Sequence, residues 1–174
     1  MNRLKFTLKA WPVIAAATIG LCFLTQVVAK LFGIDLPDQQ NVMAVRQCFE
    51  HAFDSGKAFL NCAVVVLSVV AIMPAMEEIL FRWLLVMLPT RIKAGGEVSR
   101  PGTLGLSLIV VSSVLFSAAH YVQQPFPDTA FFALFFFGAA QCRLYFKTGR
   151  LWCPMLNHAL FNLTNLMLLF VVPQ

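Results

Sequence analysis

The stretch from Ala58 to Leu88, AFLNCAVVVLSVVAIMPAMEEILFRWLLVML, decides how the rest of the chain is read. It is apolar almost throughout, yet it carries Glu77, Glu78 and Arg82 in its second half. A helix that crosses a bilayer needs about 20 apolar residues, and this run exceeds that length. A single straight crossing would leave apolar turns outside the hydrocarbon. Pro74 has no backbone N–H and its ring crowds the preceding turn, so the run predicts one long span kinked near Pro74.

Four further apolar runs flank it: Trp11 to Ala29, Thr103 to His120, Thr129 to Phe146, and Leu151 to Val172. Together they predict an all-α fold, a multi-pass transmembrane helix bundle of about five spans, forming one integral membrane domain over residues 1–174. The composition agrees. Hydrophobic residues make up 59% and charged residues 12%, against about 25% charged in soluble domains. The mean hydropathy is +0.77. The basic start followed by an apolar run and Val27-x-Ala29 also resembles a cleavable leader. That run is longer than the roughly 7–15 residues of such a core, which favours a retained span. Between the first two spans, Val42 to Phe53 suits a short surface helix.

The net charge of +5 comes from 13 Lys and Arg residues set in small groups between apolar runs. No basic stripe is interleaved with polar helix, which argues against a nucleic-acid partner. The groups Arg3, Lys5 and Lys9; Arg91, Lys93 and Arg100; and Arg143, Lys147 and Arg150 all fall on one side of a five-span arrangement. By the bias of basic loops towards the cytoplasm, the N-terminus is expected inside and the C-terminus outside, in the cell (inner) membrane. The 5 cysteines contain no C-x-x-C pair and lie mostly in apolar segments, so they read as small buried hydrophobes.

An ionisable side chain near the bilayer centre costs about 2.5–3.5 kcal/mol even on the translocon scale, so each needs a reason. The reasons converge on three spans. Glu78 and Arg82 are four apart, acid first, and can pair along their own helix, with Glu77 aimed elsewhere. Phe116 and His120 share a face of the third span, and His158 and Asn162 a face of the fifth. Glu77, Glu78, Arg82 and one protonated histidine would nearly cancel in charge. A carboxylate beside an imidazole is also the pairing that general-base chemistry uses. Each pair alone has a plain structural reading, an intrahelical ion pair or helix-to-helix glue. Their joint occurrence predicts a shared polar pocket. From the cytoplasmic ends of their spans, Glu77 lies about 18 Å deep, Asn162 about 16 Å, His158 about 10 Å and His120 about 25 Å.

The ordered series Glu77-Glu78-x-x-x-Arg82, Phe116-x-x-x-His120 and His158-x-x-x-Asn162 resembles the CAAX-protease and bacteriocin-processing (Abi) family of intramembrane glutamate proteases. The segment Thr148-Gly149-Arg150-Leu151-Trp152 fits the same family, and the resemblance runs from about Val64 to Leu168. Trp83 stands where family members commonly have Gly. The resemblance implies hydrolysis of a peptide or protein substrate with a membrane-associated segment, without cofactor or metal. Glu77 would activate water, His120 would orient it, and His158 and Asn162 would stabilise the oxyanion. Glu78, Arg82 and Phe116 would support them. Three alternatives stay open: a zinc-dependent protease built on Glu77, His120 and His158, a non-enzymatic immunity or scaffold protein, and a proton or ion carrier.

Overall fold

The computed structural model describes residues 2–34, 40–122 and 130–171. Among these the regular structure is entirely helical. Helix α1 spans Arg3–Leu31, α2 Gln40–Glu50, α3 Gly56–Ala94, α4 Thr103–Ala119, α5 Phe131–Thr148 and α6 Trp152–Val171, with a short 3₁₀ turn at His120–Val122 after α4. The expected loop from Tyr121 to Asp128 and the residues at both expected span ends Thr129 and Val172 fall wholly or partly outside the described residues.

Local chemistry sets the helix ends. The Asn2 side chain accepts the Lys5 N–H at 3.1 Å, and Ser55 Oγ accepts the Ala58 N–H at 3.1 Å. Both satisfy a donor that a helix start leaves orphaned. Helices α3 and α5 stop at Gly95 and Gly149, whose φ values of 68° and 66° lie in the left-handed region that glycine enters without steric cost.

Helices α1 and α3 are long and apolar enough to cross a membrane, while α4 is a shorter apolar helix. A long apolar helix can also be the core of a soluble protein, but then it is mostly covered. Here only 17% of the apolar window of α1 and 11% of that of α3 are buried. Large side chains such as Val13, Phe23, Leu60, Met76 and Leu80 face outward. Apolar surface on that scale needs a lipid solvent, and the molecule is a helical membrane protein.

Helix α3 is not uniformly α-helical. It widens into π-helical turns over Ser68–Ile72 and Glu78–Met87, on either side of a short α segment, Met73–Glu77, that contains Pro74. Wide turns are one way for a helix to absorb a proline.

The bundle packs α4 against α5 and against the second wide segment of α3, while α1 lies across α5 and α6. Helix α6 rests on the first wide segment. Phe81, Phe116, Phe137 and Phe161 form the central aromatic core with Ala15, and Val86, Met87, Cys142, Tyr145 and Phe146 form a second cluster nearer the end of α3. Small residues let the backbones approach: a Cβ on Gly138 would sit 3.2 Å from Ser113 Cα. Polar groups pin the same contacts. Ser112 donates to the Phe81 carbonyl, and Gln141 Nε2 donates to Asn157 Oδ1 at 2.9 Å with both residues fully buried. At one end of the bundle, Arg3 Nε donates to the Thr148 carbonyl at 2.9 Å, and Gly105 lies between Pro101, Thr90 and Phe146. The basic groups at the start of α1, the end of α3 and the end of α5 therefore gather at a single end.

Candidate active site

Helix α3 contributes Glu77 from the end of its short α segment, and Glu78 and Arg82 from the start of its second wide segment. Helix α4 contributes Phe116 from its last turn, the 3₁₀ turn that follows contributes His120, and α6 contributes His158 and Asn162 from its middle. The meeting point is the imidazole of His158. Its Nδ1 lies 2.9 Å from Glu78 Oε1 and its Nε2 lies 3.6 Å from Glu77 Oε2. A carboxylate can only accept, so Nδ1 carries the proton shared with Glu78. The second distance is outside hydrogen-bonding range but within that of an ion pair.

Adjacent residues on a helix point about 100° apart, which led to the expectation that Glu77 and Glu78 face different neighbours. The structure places the His158 ring in the angle between them, so both acids reach one imidazole. Their environments nevertheless differ. Glu78 is fully buried, with Oε1 on His158 and Oε2 only 3.1 Å from Arg82 Nε. That Arg82 contact is an ion pair without a well-directed N–H, because neither atom meets hydrogen-bond geometry. The Glu77 side chain keeps 21% of its surface exposed. One carboxylate is committed on both oxygens, and the other is held near the imidazole while remaining accessible.

Phe116 organises the rest. Its ring packs edge-on to His120 at 4.8 Å and to His158 at 5.9 Å between centroids, and the Arg82 guanidinium lies over it at 4.2 Å. A cation over an aromatic face gains from the ring quadrupole, most where water is excluded. Arg82 needs that contact, since its terminal nitrogens are buried with no hydrogen-bond acceptor among the described residues. Phe137, stacked on Phe116, packs edge-on against the same His158 ring at 4.9 Å. Trp83 is 38% exposed and points away from this packing, so a large residue after Arg82 does not press between the helices.

His120 also packs against Phe116. Its Nδ1 donates to the Phe116 carbonyl at 2.8 Å, which leaves Nε2 of the neutral ring as an acceptor. Asn162 is placed differently from the other polar residues: its Nδ2 donates to the Val69 carbonyl at 2.8 Å. Sequence reasoning had no view of that partner, because a main-chain carbonyl has no letter. It also passed over Ser112 and the Gln141–Asn157 pair, whose only signal was polar residues inside apolar runs. Among the described residues, no three His, Cys, Asp or Glu side chains are grouped so as to hold a metal ion.

A family model described as Rce1-like, type II CAAX prenyl endopeptidase, matches residues 59–164, a segment that contains all seven site residues. No curated protein and no solved structure matches the chain.

Proposed function

The chain belongs to the Rce1-like family of type II CAAX prenyl endopeptidases, and from that membership and the site geometry we propose an intramembrane endopeptidase in which Glu77 activates the attacking water. The family points to a protease acting on membrane-associated peptides or proteins; the glutamate mechanism and the residue roles are our reading. The observation that carries it is the contrast between the two acids. Glu78 has both oxygens engaged and no exposure, whereas Glu77 retains exposed surface beside an imidazole.

In this reading a water held by His120 Nε2 and Glu77 loses its proton to the Glu77 carboxylate as its oxygen bonds the scissile carbonyl carbon. The tetrahedral oxyanion takes hydrogen bonds from the Nε2–H of a doubly protonated His158 and from the Asn162 amide. Loss of one such donor costs about 10²–10³ in rate in other enzymes. As the C–N bond breaks, the proton on Glu77 passes to the departing amine. Glu78 keeps His158 oriented through Nδ1, and Arg82 balances one of the two negative charges. In the same reading α1, α3, α4, α5 and α6 are five spans, and the basic end of the bundle is cytoplasmic.

The test compares new peptide termini in membranes from cells expressing the wild-type chain or Glu77→Ala. Termini found with the wild type alone would identify the substrate. Equal cleavage by a Glu77→Ala protein that accumulates normally would overturn the proposal, and would favour the immunity or scaffold alternative.

A further inference from the structure

The hydrogen bond of Asn162 has a cause in the backbone of the opposite helix. At the end of the wide turn Ser68–Ile72, the Met73 N–H reaches back five residues to the Ser68 carbonyl, the π-helical register. The next bond in that register would run from residue 74 to the Val69 carbonyl. Residue 74 is a proline and has no N–H to give. The Val69 carbonyl is thereby deprived of its intrahelical donor, in a place where an unpaired backbone group is costly. The donor it receives is Asn162 Nδ2, from α6, at 2.8 Å.

We infer that Pro74 is a positioning residue for Asn162: by withholding one backbone N–H it turns the Val69 carbonyl into an anchor that fixes the orientation of the Asn162 amide. A carbonyl oxygen only accepts, so the anchor admits one orientation, with Nδ2 towards α3. One of the two Nδ2 protons is spent on Val69, and the other stays available on the same nitrogen. An asparagine meets both demands, whereas an aspartate would set oxygen against oxygen. The bond also ties α6 to α3 two turns before Glu77, so the helix bearing His158 and the helix bearing the two acids are registered to each other. The assignment of the second proton to an oxyanion rests on the proposed protease activity; the anchor itself does not.

A four-protein cycle of wild type, Asn162→Ala, Pro74→Ala and the double variant, purified in detergent, tests it by thermal unfolding. In the Pro74 background, Asn162→Ala strands the Val69 carbonyl and lowers the melting temperature by several degrees. In the Pro74→Ala background, residue 74 supplies an N–H, and the same substitution costs less than half as much. Equal losses in both backgrounds would overturn the inference. Should the proline variants fail to accumulate, Asn162→Asp is compared with Asn162→Ala at neutral pH. The anchor requires the aspartate to be the less stable, and an aspartate variant as stable as wild type refutes it. For the substrate identified through Glu77→Ala, Pro74→Ala is expected to lower kcat by about tenfold, the scale of one misoriented hydrogen bond, with KM within about twofold. An unchanged kcat would refute positioning. The unfolding arm uses no substrate, so additive losses remove the anchor alone, whereas an active Glu77→Ala protein removes the protease reading alone.

Discussion

Replacing Glu77 and Glu78 in turn should separate chemistry from stability, although the two residues are adjacent and touch the same ring. Glu78→Ala removes the partner of a fully buried guanidinium and of the His158 Nδ1 proton. Arg82 would keep the Phe116 face at 4.2 Å but no carboxylate. Breaking a buried pair from one side costs about 3–5 kcal/mol, because the surviving charge stays desolvated. Total stability is typically about 5–15 kcal/mol, so Glu78→Ala should accumulate poorly and unfold early. Glu77→Gln is nearly isosteric, and its one ion pair spans 3.6 Å at a partly exposed side chain. It should cost less than about 1 kcal/mol. Its activity should nevertheless fall by about 10²–10⁴, the contribution of a general base. The assay is paired: melting temperature and yield of each purified variant, and the rate at which membranes containing it generate the new termini. A Glu78→Ala protein with wild-type yield and melting temperature would refute the assignment of Glu78 to the buried charge network. An active Glu77→Gln protein would refute the assignment of Glu77 to the base.

Three further outcomes follow from the packing and the donor set. Gly138→Ala brings a Cβ to 3.2 Å from Ser113 Cα and Oγ, and the resulting separation of α4 from α5 should cost about 1–3 kcal/mol, read as an earlier thermal transition. Gln141→Leu and Asn157→Leu each strand a buried amide and should each destabilise by about 1–3 kcal/mol, whereas the double variant should lose much less than the sum in a double-mutant cycle. Cleavage by purified protein should persist after treatment with a strong chelator; loss of activity that stoichiometric zinc restores would revive the metal alternative.

The helices were legible because lipid makes a simple demand: long apolar runs written in plain letters, as from Ala58 to Leu88. Their basic flanks were equally visible, and the Arg3–Thr148 hydrogen bond and the seating of Gly105 against Thr90 and Phe146 bring those flanks to one end of the bundle. The spacing of Glu78 and Arg82 was enough to suggest their ion pair. What the letters did not carry was the exact phase of α3. Regular α-helical spacing sent Glu77 away from the face of Glu78, whereas a ring standing between the two reaches both. Depths counted at a constant rise separated His158 from Glu77, yet the wide turns and the packing of α6 put them 3.6 Å apart. Asn162 was found by its letter, but its partner is a backbone oxygen exposed by a proline on another helix. Hydrogen bonds of that kind depend on local register, which composition and periodicity do not resolve.

A turn that takes in one residue more than usual keeps the helix continuous but shifts everything after it around the axis by about 100°. Two such turns bracket Glu77. The direction of the carboxylate therefore depends on how many residues precede it as much as on which ones they are. Deleting a single residue between Ser68 and Pro74 would leave every motif letter intact and swing both acids off His158. In this helix, length is itself a functional character, one that aligning motif letters would not detect.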